Sequence, residues 1–258
     1  MDGNVLFAFS ITLLAGLATG IGGIIGILGK KTNFKFLSLS LAFSAGVMLF
    51  ISFVEMFDKA KESLEDAYGY DYGFLWTAAA FFGGVALITL IDKLIPHHED
   101  KEHSDNKETK SLKRTGIMSA AAIAIHNFPE GLVTFMAAMY DPALGIAIAV
   151  AIAIHNIPEG IAISAPIYYA TGSKKKALAL SIGSGLTEPL GALAAYFLLS
   201  QVLGEALFGI TFAAVGGMMV FISLHQLLPA ANKYGDHHTI MKGLFAGMIV
   251  MALSLVWV

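Results

Sequence analysis

The chain has 258 residues, 56% of them hydrophobic and only 14% charged, with a mean hydropathy of +0.71. A soluble domain carries about a quarter charged residues, so a surface facing water all round is excluded and lipid is the solvent that remains. The absence of cysteine excludes disulfides and thiolate metal sites. A net charge of −3 with no basic, aromatic-interleaved patch argues against nucleic acid as a partner.

Roughly 20 mainly apolar residues are needed to cross about 30 Å of hydrocarbon. That rule predicts eight spans, at about 4–28, 36–57, 73–95, 115–139, 143–170, 176–200, 207–230 and 240–258. Backbone groups in lipid must be satisfied within their own segment, so each span is expected to be a helix. The start, Met1-Asp2-Gly3-Asn4, lacks the basic region of a cleavable signal peptide, and the first span is expected to be retained. Glycines at close spacing, such as Gly16/Gly20 and Gly22/Gly26, read as sites of close helix packing.

The basic residues fall on one side of this plan. Lys30, Lys31, Lys35, Lys93, Lys101, Lys107, Lys110, Lys113, Arg114, Lys174 to Lys176, Lys233 and Lys242 flank one set of span ends. Only Lys59 and Lys61 lie on the other. The positive-inside rule therefore puts both termini on the non-cytoplasmic side. The one long hydrophilic connection, residues 96–114, is then a cytoplasmic loop inside a single transmembrane domain of residues 1–258.

Spans four and five carry a repeat. Residues 122–131 read AIAIHNFPEG and residues 151–160 read AIAIHNIPEG, an offset of 29. The connector Tyr140-Asp141-Pro142 forces a tight reversal, so the two copies lie at similar depth near mid-membrane and run in opposite senses. Within each copy His126 and Glu130, or His155 and Glu159, share one helix face. Asn127 and Asn156 sit beside them. Pro129 and Pro158 cannot donate to the carbonyls of Ile125 and Ile154. Span six adds Ser184-Gly185-Leu186-Thr187-Glu188-Pro189, with Glu188 at its middle.

Energy decides how this cluster reads. An acid at the bilayer centre costs about 2.5–3.5 kcal/mol on insertion scales, and three neighbouring carboxylates repel one another. The lysines all lie near span ends. A divalent cation neutralises two carboxylates, and imidazole suits zinc, iron and nickel; protonation of the acids is the alternative, and the two can alternate. The bland reading, two packed polar helices with internally hydrogen-bonded histidines, suits one histidine better than two matching motifs plus Glu188.

HNFPEG and HNIPEG in adjacent spans resemble the signature of the ZIP family of metal transporters, in its bacterial zinc-transporter branch. GVMLFISFVEMF in span two, SGLTEPLG in span six and the histidine-bearing loop extend the likeness over the chain. The resemblance implies an all-α integral membrane fold of about eight helices, an inverted-repeat ZIP-type bundle in the plasma membrane, which is the bacterial inner membrane. It implies uptake of Zn²⁺, with Fe²⁺, Mn²⁺, Co²⁺ and Cd²⁺ as further cargo, no organic cofactor and no enzymatic activity. Carried over by matching positions, one metal site uses His126, Glu130, His155 and Glu159. A second uses Asn127, Asn156 and Glu188, with Glu130 and Glu159 bridging. Homodimer or monomer stays open.

Other positions carry weaker signals. Glu55 reads equally as an entrance ligand or an interfacial acid, and Met48 more readily as core than as a soft ligand. His225-Gln226 departs from relatives that place an acid after the histidine. His97, His98 and His103, with His237 and His238, fit either a solvated linker or a collector of emerging metal. An intramembrane metalloprotease would need H-E-x-x-H, which is absent. A closed-site sensor is the other rival.

Overall fold

The computed structural model describes residues 3–28, 34–94, 107–199 and 204–256. Among them are eight helical rods and no strand: α1 (Gly3–Leu28), α2 (Phe34–Tyr68), α3 (Tyr70–Leu94), α4 (Lys107–Tyr140), α5 (Pro142–Thr171), α6 (Lys174–Phe197), α7 (Glu205–Tyr234) and α8 (His237–Leu255). Seven are long and apolar enough to cross a membrane; α4 is the eighth. α4 and α5 carry the same polar motif, but α5 surrounds it with more isoleucine and so stays strongly apolar, whereas the flanks of His126, Asn127, Pro129 and Glu130 in α4 do not offset those residues. The eight-span expectation thus holds.

Two rods outrun the predicted spans. α2 continues past residue 57 to Tyr68, because Phe57–Tyr68 is amphipathic and Lys59–Glu62 (3.1 Å) and Lys61–Glu65 (3.6 Å) pair along its wet face. α4 begins at Lys107, inside the predicted loop. The loop histidines His97, His98 and His103 lie outside the described residues.

Turns are set locally. Gly69 joins α2 to α3 at φ 84°, in the left-handed region that favours glycine. Asp141 caps α5 by accepting from the Ala143 N–H, with Pro142 at the first helical position. Ser173 caps α6, and Asp236 caps α8 through the Thr239 N–H. That backbone N–H holds the exposed Asp236 carboxyl below the usual carboxylate range.

Close approaches reveal an internal two-fold relation. In four parallel helix pairs, reciprocal glycines press against the partner's carbonyls. Gly22 and Gly160 meet the carbonyls of Ile157 and Thr19 where α1 crosses α5, and Gly191 and Gly131 meet those of Phe128 and Glu188 where α6 crosses α4. Likewise Gly46 and Gly247 meet the Leu244 and Phe43 carbonyls (α2 with α8), and Gly217 and Gly84 those of Phe81 and Ala214 (α7 with α3). The second crossing of each set repeats the first when α1, α2, α3 and α4 are exchanged for α6, α7, α8 and α5. Gly16 and Gly185 face each other at the antiparallel α1/α6 crossing. Three spans are an odd number, so the second triplet enters inverted; α4 and α5 pack between the triplets. Small residues let helices approach where lipid supplies no hydrophobic drive.

The same exchange relates α2 and α7 in sequence. Phe50-Ile51-Ser52 and Phe221-Ile222-Ser223 each lead into a π-turn, Ser52–Met56 and Ser223–Leu227. Ser52 and Ser223 donate back to the carbonyls of Met48 and Met219 at 2.7 and 2.8 Å.

A side chain at a crossing glycine has no room. Gly217→Val is expected to lower stability by about 1–3 kcal/mol or more, measured by thermal unfolding in detergent micelles. Gly83, with nothing within 4 Å of a would-be Cβ, gives the control: Gly83→Ala should be neutral or stabilising by up to about 1 kcal/mol.

Candidate metal centre

The antiparallel α4/α5 pair sets the two motifs against each other. His126 Nε2 lies 3.3 Å from Glu159 Oε1, and His155 Nε2 lies 3.4 Å from Glu130 Oε1. Each histidine thus faces the acid of the other copy, as helices of opposite sense at equal depth require. All four side chains are buried. Ser44 of α2 reaches in, donating to Glu159 Oε1 at 3.5 Å and to the His155 carbonyl at 3.4 Å.

α1 and α6 supply the other half. Asn156 Nδ2 donates to the Ala15 carbonyl (2.9 Å) and, at close range, to Glu188 Oε1. Asn127 Nδ2 donates to the Ser184 carbonyl at 3.4 Å, the counterpart of the Asn156–Ala15 bond under the two-fold exchange. The Glu188 backbone lies against Gly131, the residue after Glu130, and its side chain meets Asn156, which lies three residues before Glu159. α6 is interrupted at Leu186 (ψ −5°) just before this acid, while Pro129 and Pro158 sit inside unbroken helices. His126, Asn127, Glu130, His155, Asn156, Glu159 and Glu188 therefore form one buried cluster.

Its polar atoms are under-satisfied. Asn127 Oδ1, Asn156 Oδ1, Glu159 Oε2, Glu188 Oε2, both Glu130 oxygens and the imidazole nitrogens are buried without a well-formed hydrogen bond. Buried polar atoms are normally paired, so these are groups awaiting a partner. Two ligands at 2.0–2.1 Å from a tetrahedral zinc stand about 3.3 Å apart. Each histidine–carboxylate pair has that spacing, one edge of such a sphere. Among the described residues no three His, Asp or Glu side chains close a complete ligand set, so the two edges must come together to hold an ion.

Met48 is wholly buried in the hydrophobic core, and Glu55 stands at the α2 π-turn, away from the histidine–carboxylate pairs. Asp92 of α3, not singled out from sequence, gathers His225 and Gln226: His225 Nε2 is 3.2 Å from Asp92 Oδ2, and Gln226 Nε2 donates to Oδ1 at 3.1 Å. Ser44 also escaped sequence reasoning; one serine in an apolar span gives no signal until its neighbour is known.

A cavity of about 360 Å³ opens between α2, α4, α5 and α7 toward the lysine-rich end, lined by Leu41, Ser119, Ala162, Pro166 and Lys233 among others. Ser119 and Pro166 stand two turns from His126 and Glu159. The positions that mirror this lining at the opposite end are filled. Phe208 and Phe212 pack at 4.1 Å, Tyr140 stacks on Phe208 at 4.4 Å, and Val133, Ala137 and Ile148 are buried beside them. One end is open and its mirror image is plugged.

Eight membrane-crossing helices, an inverted repeat and buried acids with imidazoles at its centre define a polytopic membrane protein of the transporter class. Residues 4–113 and 96–255 match the family described as ZIP zinc transporter, and the chain belongs to that family. It is 56% identical to the zinc transporter ZupT of Chlorobaculum parvum, over 99% of this chain and 98% of that protein. It is 56% identical to the ZupT of Lysinibacillus sphaericus, over 99% of each chain, and 53% identical to that of Clostridium perfringens, over 98% and 96%.

Both asparagine amides are spent on neighbouring helices, and their Oδ1 atoms stay unpaired beside the histidine–carboxylate contacts. The double variant Asn127→Ala/Asn156→Ala should change ion preference several-fold while zinc still binds, read by competition of Mn²⁺ or Fe²⁺ against Zn²⁺ in detergent. An unchanged preference order would separate the asparagines from the metal.

Proposed function

We propose that this protein is a transporter of divalent metal cations, zinc foremost and Fe²⁺, Mn²⁺, Co²⁺ and Cd²⁺ in addition, that carries them into the cytoplasm through the buried α4/α5/α6 centre. The observation that carries this reading is the pair of histidine–carboxylate contacts at 3.3 and 3.4 Å, buried in lipid-spanning helices. A divalent ion is the partner that offsets their desolvation. The relatives named as zinc transporters share about half or more of their residues with this chain over nearly its whole length.

In this reading His126, Glu130, His155 and Glu159 form a first site, imidazole nitrogens giving it a bias toward zinc. Asn127, Asn156 and Glu188 form a second, all-oxygen site, with Glu130 and Glu159 bridging the two. The lysine-rich end faces the cytoplasm of the plasma membrane, and both termini face away from it. The cavity on that end is then the exit path, and the aromatic plug around Phe208 and Phe212 closes the outer side. No residue acts as a catalyst; the chemistry is ligand exchange.

A closed-site metal sensor would share the ligands and differ in flux. Purified protein in liposomes should take up Zn²⁺, and Glu130→Gln or Glu159→Gln should each cut the rate by at least tenfold. Binding without flux by the unaltered protein would favour the sensor. A second variant tests the path: Ala162→Phe fills the cavity, and should slow uptake severely while leaving zinc bound. Uptake at the normal rate would place the route elsewhere.

A further inference from the structure

The two-fold exchange maps nearly every element of the buried centre onto a chemical equivalent. Asn127 maps on Asn156, the Ser184 carbonyl on that of Ala15, Gly185 on Gly16, Gly191 on Gly22. The exceptions are Ser44, which maps on Val215 of α7, and Glu188. The counterpart of Glu188, by the register of the α1/α6 pairs, is Thr19 of α1.

Thr19 is fully buried, and its hydroxyl has no hydrogen-bond partner. That is unusual for a helical threonine, which normally donates to the carbonyl four residues back. Thr12, Thr77, Thr89, Thr134 and Thr171 all do so, at 2.6–2.9 Å. The carbonyl that Thr19 would use belongs to Ala15, and Asn156 Nδ2 donates to it at 2.9 Å. The Thr19 hydroxyl is thereby left available. Its backbone is pinned, since its own carbonyl accepts from Ser181 Oγ at 2.7 Å and abuts Gly160. On the same face one turn earlier, a Cβ at Gly16 would stand 3.4 Å from the Glu188 Cβ. Thr19 itself lies against Gly185, at the interruption of α6.

From this placement we infer that Thr19 is a specificity-determining residue of the second metal site, its hydroxyl supplying a neutral oxygen where the mirror position supplies the Glu188 carboxylate. The inference rests on the metal-transport reading above. Neutrality has a consequence. A second glutamate at the Thr19 position would put four carboxylates beside one another. Threonine keeps an oxygen donor there without the added charge, and hard oxygen donors narrow the lead that zinc holds over Mn²⁺ at nitrogen ligands.

The test is competition uptake in proteoliposomes, with Zn²⁺ and Mn²⁺ supplied together. Thr19→Val keeps shape and removes the hydroxyl, and should lower the Mn²⁺/Zn²⁺ uptake ratio at least threefold. Thr19→Ser returns the hydroxyl and should restore the ratio. Thr12→Val, which removes a hydroxyl already satisfied on the same helix, should leave the ratio unchanged. An unaltered ratio in Thr19→Val, or an equal loss of both ions that serine does not rescue, overturns the assignment. If Thr19→Val does not fold, Thr19→Ala against Thr19→Ser asks the same question. Absence of metal uptake by the unaltered protein would instead bring down the transport reading itself, and this inference with it.

Discussion

The constraint on which the molecule turns is the burial of Glu130, Glu159 and Glu188 within helices that cross lipid. Each ionised carboxylate there must find compensation, or the fold carries a penalty of several kcal/mol per group. Lysine does not provide it: the described lysine–carboxylate pairs, Lys59–Glu62 and Lys61–Glu65, lie far along α2. Two imidazoles, the Asn156 amide and the Ser44 hydroxyl provide part of it, and several oxygens remain unpaired. A bundle evolved only for stability would have replaced such a cluster with apolar residues. Under-satisfied polar atoms at the centre of the packing distinguish this cluster from an ordinary core.

The glycine crossings explain how the cluster is assembled. At each one a backbone carbonyl presses on a position with no Cβ, so α1 against α5 and α6 against α4 are held as tightly as backbones allow. That closeness brings the Ala15 and Ser184 carbonyls within reach of Asn156 and Asn127. The inverted repeat also explains the uneven ends. Leu37 and Leu41 line the cavity, whereas their mirror positions hold Phe208 and Phe212, which fill the equivalent space. A pseudo-symmetric frame with unequal side chains is able to be open on one side and sealed on the other.

Much of this was legible in the sequence. Eight spans followed from hydropathy and lysine placement, and the seven clustered residues followed from two copies of H-N-x-P-E-G and an isolated mid-span glutamate. The reversal at Tyr140-Asp141-Pro142 was enough to predict that the copies lie at one depth, and the contacts of His126 with Glu159 and of His155 with Glu130 bear that out. The α2/α7 repeat is confined to a few residues such as Phe50-Ile51-Ser52, too short to stand out without the π-turns. Ser44 and Asp92 are single polar residues whose meaning depends on which helix they face. Thr19 gives no signal in the sequence, because its free hydroxyl depends on Asn156 donating to the carbonyl it would otherwise use.

Zinc K-edge X-ray absorption on the purified protein loaded with one equivalent of Zn²⁺ tests the central claim most directly. The account predicts a first shell of nitrogen and oxygen only, at about 2.0–2.1 Å, with the outer-shell scattering of imidazole, and loss of that scattering in His126→Ala/His155→Ala. A sulfur shell, or a zinc spectrum unchanged by removing both histidines, would contradict it.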